Sequence, residues 1–455
     1  NTHQCFGIAA YNLALDCMAD DLIMQSQGNG WFWGDHCYNV KSNYTSSAFR
    51  SYDVWYANYK WIANVNYIID AEPEMAGTEA DVAYVAGQAY AIRALCYLNL
   101  ATWFSRAPYN SLTGASRWNE PCVPVYTTGT SIDTGGQPRE SLRTVYGRID
   151  QDIDRAIELL EKARETTLAE NNKSHINLYV ALGIKSRACL AEGDWDGAFK
   201  AAKREIDEGG YAVGKKSDLT GGMNSLDKQN VMWGAGIQVA DQAGGYAGFF
   251  THMDNKEGAY AKSAPKLISK QLYNRISATD IRRDWWDPSD KESPYVSKKF
   301  SFANVASFLG DYIYMRVEEM YFTAAEAALR LDDLKSAREL MNTVMAERDP
   351  GYSANNRSGT LLGATTTTWT GSFLENILTH RRIELWGEYG RLFDVRRLGQ
   401  GIDRRTDDGF SEECISMMNR RNVNITKADT YDWVLTIPKA ELDANPNINE
   451  EDQNP

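Results

Sequence analysis

The stretch THRRIELWGEYGRLFDVRR, residues 379–397, decides the fold of this chain. It mixes charged and large apolar side chains at helical spacing, which predicts a helix laced with ion pairs. A catalytic or anion-binding cluster is the alternative, but we favour an ion-paired helix that clamps the C-terminal tail. The charged residues concerned are Arg381, Arg382, Glu384, Arg391, Asp394, Arg396 and Arg397.

Helical periodicity continues outward from this stretch. Alanines such as Ala198 and Ala324 recur on the expected contact faces, as in tetratricopeptide (TPR) repeats, whose helix backbones approach closely. The sequence therefore predicts an all-α, irregular TPR-like scaffold with long loop-rich insertions and minor short strands, such as 231–237 and 295–300. The predicted helices are 82–104, 141–163, 176–191, 195–208, 316–331, 335–347 and 374–387. The predicted pairs are 82–163, split by the loop 105–140, then 175–208, 316–347 and 374–397.

Composition excludes several classes of protein. The chain has 455 residues, 43% of them hydrophobic, so a large core is available. The formal net charge of -13, without any Lys/Arg block, excludes nucleic acid as a partner. No apolar run approaches the roughly 18 residues that a membrane helix needs. The seven cysteines form no C-x-x-C pair, which excludes zinc-ribbon and thioredoxin-like motifs.

Motifs that carry chemistry are scarce. The five histidines are scattered and form no H-E-x-x-H, and no G-x-S-x-G elbow occurs. The carboxylates within 284–290 are alternatives for calcium ligands or a glycosidase pair, but a solvated loop is favoured. We therefore expect a protein that is not an enzyme and needs no cofactor.

Aromatic side chains in polar loops are the candidate ligand site. Large rings flanked by Gly, Asn, Asp and Arg suit stacking on the apolar faces of sugars, and we expect them to converge on one exposed surface. The alternative for each ring is that it anchors its loop to the core. The predicted ligand-binding residues are Trp31, Trp33, Tyr38, Asn39, Tyr246, Phe249, Phe250, Arg283, Trp285 and Trp286, with Asn29, Asp35 and Asp287 as further hydroxyl partners.

Four motifs, in order along the chain, resemble those of the SusD/RagB family. Residues 93–109 resemble its "RA-x-x-Y-x-x-L…G-x-x-P" helix and turn, although the glycine is missing here. Residues 316–327 resemble its "R-x-AE-x-x-L-x-x-AEA" helix. The opening stretch, 379–397, resembles its Arg-rich signature, and 437–455 resembles its "IP-x-x-E-x-x-x-NP…QNP" close.

This resemblance implies a single SusD-like domain over 1–455, with a loop-rich ligand-binding portion from 25–50, 210–312 and 351–372. It implies a non-catalytic lipoprotein of Bacteroidetes, exposed on the outer membrane and anchored through a cysteine upstream of this chain. Such a protein captures an oligosaccharide, or alternatively a peptide, and delivers it to a SusC-like TonB-dependent transporter. Two alternatives of other classes are a cytosolic TPR scaffold for protein partners and a glycoside hydrolase.

Overall fold

The computed structural model describes residues 2–39, 43–168, 172–239, 247–428 and 430–455. Helices dominate this part of the chain, as the sequence predicts. The helices are α1 (Ile8–Met18), α2 (Trp33–His36), α3 (Phe49–Ala71), α4 (Glu79–Phe104), α5 (Leu142–Lys162), α6 (Leu178–Glu192), α7 (Trp195–Glu208), α8 (Lys216–Leu219), α9 (Phe249–Met253), α10 (Ala259–Ser263), α11 (Lys270–Tyr273), α12 (Val317–Arg330), α13 (Leu334–Ala346), α14 (Phe373–Glu384), α15 (Arg391–Leu398), α16 (Glu412–Arg420) and α17 (Lys439–Ala444).

Capping residues explain where the longer helices begin and end. The side chains of Ser141, Asn177, Asp194 and Ser372 accept hydrogen bonds from backbone N–H groups in the first turns of α5, α6, α7 and α14. These N–H groups have no partner within the helix, so each cap stabilises a helix start. Helix α6 ends at Gly193, whose φ of 78° favours glycine because it has no Cβ.

The helix pairs pack closely, as the alanine pattern predicts. Helix α4 packs against α5, α6 against α7, and α12 against α13. Ala198 and Ala324 are fully buried. At Gly87 in α4, a Cβ would lie 2.8 Å from Leu160 Cγ of α5, so the close approach of these two helices requires glycine. Each predicted helix is present, with bounds that differ by three residues or fewer.

Helix α3 is the largest departure from the prediction. It is 23 residues long and packs against α4, yet the sequence analysis predicts no helix there. Its polar face carries tyrosines and asparagines rather than long charged side chains, so the amphipathic pattern is weak. The scaffold therefore has one more long helix in its N-terminal half than the sequence indicates.

The signature stretch forms two helices rather than one. Gly387 and Gly390 have φ values of 76° and 85°, and these left-handed conformations separate α14 from α15. Helix α14 packs against α12, whereas α15 packs against α1 and α6. Arg381 Nε lies 2.9 Å from Asp394 Oδ2 and joins the two helices by an ion pair. The segment thus connects several helices of the scaffold.

Buried ion pairs hold the signature in place. Glu384 accepts hydrogen bonds from Arg282, Arg316 and Arg348 at 2.9–3.1 Å. Burial raises the pKa of Glu384, but the charges of Arg348, Arg316 and Arg282 outweigh it and lower that pKa well below its usual range. Glu384 is therefore ionised and compensated inside the core.

The predicted clamp on the C-terminal tail is wrong. Arg382 pairs with Asp21, at 2.6 Å, just after α1. The tail is held by its own amide instead, because Asn454 Nδ2 donates to the carbonyl oxygens of Phe104 and Leu435 at 2.9 and 2.8 Å. The ion pairs of the signature therefore join α14 to the segment that follows α1.

The strands are short and antiparallel. One sheet has four strands in the order β1-β3-β5-β4 and the other has two, β2-β6. The strands are β1 (Leu22–Met24), β2 (Val231–Ala235), β3 (Lys266–Ile268), β4 (Trp286–Asp287), β5 (Val296–Ser297) and β6 (Tyr312–Arg316). Among the described residues, no helix has the length and apolar character that a membrane span requires.

Candidate functional site

Helix α3 carries a row of aromatic side chains along one face. Tyr52, Tyr56, Tyr59 and Ala63 follow one another at intervals of three and four residues, so they lie on one side of the helix. Tyr52 and Tyr56 are 47% and 52% exposed. Large rings this open to solvent are uncommon in a folded protein, and a contiguous set of them marks an interaction site.

A groove of about 500 Å³ runs along this row of rings. Helix α3 forms one wall, and residues 126–134 of the insertion between α4 and α5 form the second. Pro438 and the start of α17 form the third wall. The groove is thus built by a helix, a loop and the C-terminal region, and its volume is in the range of small-molecule sites.

The rings of the groove form two groups: Tyr52 and Tyr56, which we call the platform, and Trp55, Tyr59 and Tyr126 beside it. The Tyr52 and Tyr56 rings lie 5.6 Å apart with an angle of 10° between their planes. Deeper in the groove, the Trp55 and Tyr59 rings lie 4.9 Å apart. The Tyr126 ring meets Tyr59 edge to face at 5.9 Å. Such contacts fix each ring, and the nearly parallel tyrosines offer a flat face to a ligand.

Buried polar residues hold the loop wall against α3. Asn66 Nδ2 donates to the carbonyl oxygens of Tyr126 and Thr128 at 3.2 and 2.9 Å. Arg93 Nη1 donates to Asn66 Oδ1 at 2.7 Å, and Asp152 pairs with the same guanidinium at 2.7 Å. Because Asn66 is fully buried, loss of this network would leave several polar groups unsatisfied.

Tyrosine hydroxyls complete the attachment of this wall. Tyr97 Oη donates to the carbonyl oxygen of Tyr126 at 2.8 Å, and Tyr59 Oη donates to that of Pro124 at 2.8 Å. Tyr67 Oη donates to the carbonyl oxygen of Thr130. Burial raises the pKa of Tyr59, so its hydroxyl stays neutral and remains a donor. The loop wall is therefore preorganised.

Polar groups line the rim beside the rings. Glu441, in the first turn of α17, accepts a hydrogen bond from Trp55 Nε1 at 3.2 Å and another from Asn445 Nδ2 at 2.7 Å. Ser131 and Thr134 bring hydroxyl groups to the opposite rim. A flat apolar platform next to carboxylate and hydroxyl groups provides both stacking and hydrogen bonding.

The predicted site residues of the early loop lie elsewhere and are mostly buried. Trp33 is 4% exposed, and Tyr38 is fully buried and donates to the carbonyl oxygen of Met18. Trp31 is half-buried and stacks on the His3 imidazole, with ring centroids 4.5 Å apart. The prediction that these rings are exposed is therefore wrong for Trp33 and Tyr38.

Polar residues predicted to assist them have local roles. Asp35 is buried and forms a two-pronged ion pair with Arg50, at 2.8 and 3.0 Å. Asn39 is half-buried, and its backbone N–H donates to the carbonyl oxygen of Gly34 at 2.7 Å. Asn29 is exposed.

Trp285 and Trp286 are also buried, at 3% and 2% exposure. Their rings pack edge to face at 5.8 Å, and Trp286 packs on Trp386 at 5.7 Å. The flanking Arg282 does not bring them to the surface, because Arg282 is itself fully buried and paired with Asp280 at 2.6 Å. The predicted exposure of this pair is wrong.

The remaining predicted residues are likewise engaged within the protein. Phe249 and Phe250 are buried and pack edge to face at 5.3 Å. The Arg283 guanidinium lies 4.4 Å above the Tyr273 ring. Tyr246 lies outside the described residues.

The carboxylates of 284–290 interact with the protein: Asp284 lies 3.7 Å from Lys216, and Asp287 and Asp290 accept hydrogen bonds from nearby residues of the chain. Asp287 accepts hydrogen bonds from the backbone and hydroxyl groups of Ser289, at 3.0 and 2.7 Å. Asp290 accepts from the backbone N–H groups of Glu292 and Ser293, at 3.0 and 2.7 Å. In the described ranges there is no cluster of three or more His, Cys, Asp or Glu side chains placed to hold a metal ion.

The sequence does contain a signal for the groove. The spacing of Tyr52, Tyr56 and Tyr59 is helical, and Asn66 and Tyr67 continue it. The rings of 31–38 and 285–286 were predicted as the site because they lie in polar loops. An aromatic row on a helix is instead typical of a buried face. The sequence does not predict the exposure of this row, because the exposure depends on which elements pack against α3.

Comparisons with known proteins define the class of this helical-repeat protein. Residues 258–455 match the family model described as the SusD family. Residues 9–190 match a second model, described as "Starch-binding associating with outer membrane". The chain therefore belongs to the SusD family. A comparison with curated proteins finds no match.

Solved structures with the same fold include a SusD-like carbohydrate binding protein from Bacteroides vulgatus. It is 25% identical, with a TM-score of 0.80, and the match covers 99% of this chain and 94% of that one. Surface glycan-binding protein A from Bacteroides uniformis is 18% identical, with a TM-score of 0.69 and coverages of 99% and 95%. A laminarin binding SusD-like protein is 17% identical, with a TM-score of 0.69 and coverages of 100% and 95%.

Proposed function

We propose that this protein is a non-catalytic binding protein that captures an oligosaccharide in the groove along α3. The observation that carries the proposal is the pair of stacked, half-exposed tyrosines, Tyr52 and Tyr56, at the mouth of the groove. The apolar face of a pyranose ring is about as wide as one aromatic ring, so a half-exposed tyrosine ring suits a sugar face.

The rim of the groove supports a sugar rather than a peptide. Sugar hydroxyls need partners that both donate and accept hydrogen bonds, and the hydroxyls of Ser131 and Thr134 do both. Glu441 adds acceptor oxygens on the opposite wall. A peptide that binds by adding a strand to a sheet would need an open strand edge, and the groove is walled by helices and a loop. The names of the glycan-binding and laminarin-binding neighbours agree with this choice.

The family comparison supports a role in nutrient transport. One matching family model is described as associating with the outer membrane. We propose that the chain is anchored there as a surface lipoprotein and delivers its ligand to a SusC-like TonB-dependent transporter. The groove opens between the N-terminal and C-terminal regions of the chain, so the exposed faces of α7 and α13 remain available for protein contact.

The binding proposal is tested by titrating a panel of oligosaccharides and peptides against the wild type, Tyr52→Ala and Tyr56→Ala, using calorimetry. Each variant should weaken glycan binding by about 0.5–1.5 kcal/mol, because each removes one stacking surface. Phe308→Ala is the matched control, since Phe308 is 37% exposed but lies outside the groove.

Thermal unfolding should change little in either tyrosine variant, by about 0.5 kcal/mol or less. Binding of peptides alone would contradict the sugar assignment. Full glycan affinity in both tyrosine variants would contradict the assignment of the groove.

The transporter proposal has its own experiment. Solubilised outer membranes that contain the tagged, full-length protein should yield a large β-barrel protein on affinity purification. Recovery of the protein alone from the soluble fraction would contradict both the partner and the location.

A further inference from the structure

Among the described residues, Lys60 is the one lysine or arginine that lines the groove of α3. It follows Tyr59 on the helix and is exposed. Its ammonium lies 5.8 Å from the centre of the Tyr56 ring, within the range of a cation–π contact. The cation therefore stands beside the tyrosine platform on which the ligand is proposed to stack.

The surroundings of Lys60 leave its charge open to a ligand. The neighbours three and four positions away on α3 are Tyr56, Ala57, Ala63 and Asn64, none of them acidic. Across the described ranges, no carboxylate lies within 4.0 Å of Lys60 Nζ. By contrast, lysines on other helices pair with acids one turn away, for example Lys162 with Glu158 at 2.8 Å and Lys200 with Asp196 at 2.6 Å.

The other charge in the groove is already engaged. The two oxygens of Glu441 accept hydrogen bonds from Trp55 and Asn445, so donors of the protein stabilise this carboxylate. Lys60 has no acceptor of this kind. A ligand that binds beside Tyr56 would therefore meet a positive charge that lies over the ring and has no carboxylate partner in the described part of the chain.

Resting on the proposed function, we propose that the ligand of the groove is an acidic glycan, whose carboxylate or sulfate group binds Lys60 while its sugar rings stack on Tyr52 and Tyr56. Uronic acids and sulfated sugars carry the same negative charge at the rim of a pyranose ring. The net charge of -13 disfavours unspecific binding of polyanions. Beyond roughly 8 Å this repulsion is screened at physiological salt, so contact with Lys60 decides the preference.

Affinity electrophoresis of the whole chain tests the proposal. Native gels would contain neutral polysaccharides (starch, laminarin or galactan), carboxylated ones (pectate or alginate) or sulfated ones (carrageenan or chondroitin sulfate). We expect retardation by an acidic polysaccharide, stronger than by any neutral one. The carboxylated and sulfated gels separate the two sources of charge.

Variants of Lys60 locate the effect. Lys60→Gln should weaken binding of the acidic polysaccharide about two- to fivefold, the range for an exposed ion pair, and Lys60→Arg should retain most of it. Lys270→Gln is the control, because Lys270 is exposed but lies on α11, outside the groove. Tyr52→Ala should weaken binding of any glycan, whatever its charge.

The possible outcomes distinguish the acidic preference from the glycan-binding function. Retardation only by neutral polysaccharides overturns the acidic preference and leaves the glycan-binding function standing. Acidic binding that Lys60→Gln leaves unchanged overturns the role of Lys60. Retardation by none of the polysaccharides contradicts the glycan-binding function itself, and the acidic preference falls with it.

Discussion

Two aromatic regions of this protein have charged neighbours in the sequence, but their rings differ in exposure to solvent. Trp285 and Trp286 stand among Arg282, Arg283 and Asp284, yet both rings are buried. Tyr52 and Tyr56 also have charged neighbours, Arg50, Asp53 and Lys60, and both rings are about half exposed. Charged neighbours in sequence therefore do not bring a ring to the surface.

The physical reason lies in where the charges go. In the tryptophan region, Arg282 is itself buried, paired with Asp280 and Glu384, so the charges help to build the core around the rings. On α3, the described part of the chain leaves Tyr52 and Tyr56 about half exposed, and the loop 126–134 and α17 form a groove beside them. Whether a ring faces solvent therefore depends on the residues that pack against it in the fold, rather than on the polarity of its sequence neighbours.

The largest effect should come from the charge that holds the tryptophan region. Arg282→Ala should lower the free energy of unfolding by about 3–5 kcal/mol, because it leaves buried carboxylates without their partner. Arg283→Ala, one residue along, is the control and should cost about 1 kcal/mol or less, since Arg283 is only half-buried. Urea titrations measure both. Similar costs for the two variants would break the comparison.

Changes of pH should affect the stability of the buried scaffold but not the platform of Tyr52 and Tyr56. Glu205 on α7 is fully buried, and burial raises its pKa from 4.5 to about 8. An acid with a raised folded pKa stabilises the fold below its unfolded pKa. The contribution of Glu205 to stability should therefore fall as pH rises from about 4.5 to 8, with a slope of at most about 1.4 kcal/mol per pH unit.

Glu205→Gln should flatten this slope and raise stability at pH 8. Thermal unfolding followed from pH 4.5 to 8 measures it. An unchanged slope in the variant would mean that Glu205 is not the group responsible.

A moderate effect should come from the amide that joins the groove to the core. Asn66→Ala removes hydrogen bonds to Tyr126, Thr128 and Arg93. We expect a loss of about 1–3 kcal/mol in stability together with weaker glycan binding, because the loop wall is no longer held. Stability loss with full affinity would show that this wall does not contribute to the site.

The smallest effect should come from Tyr67→Phe. This change keeps the ring and removes the single hydroxyl that donates to the carbonyl oxygen of Thr130. Stability should fall by about 0.5–1.5 kcal/mol, and glycan affinity should fall less than in Asn66→Ala. An affinity loss larger than that of Asn66→Ala would place Tyr67 in contact with the ligand.

The fold was largely predictable from the sequence, and the groove was not. Helical periodicity and its alanines are local, so they predicted the helix pairs to within three residues. The groove depends on contacts between residues far apart in the chain, such as Trp55 with Glu441 and Arg93 with Asn66. Only the folded chain brings these residues together.

The predicted exposure of the site residues is wrong for a related reason. Glycine-rich polar segments predicted an exposed loop around Trp33 and Tyr38, but polar backbone does not fix the direction of a ring. Tyr38 points inward because its hydroxyl reaches the carbonyl oxygen of Met18, a partner that the sequence alone does not reveal.

A crystal structure of the protein with a bound oligosaccharide tests the central claim most directly. The account predicts sugar rings within about 4 Å of the faces of Tyr52 and Tyr56, bordered by Tyr126 and Glu441. The tryptophans at 285 and 286 should stay buried and make no contact with the ligand. Sugar density against Trp31, or in the region of 254–302, with an empty groove along α3, would contradict it.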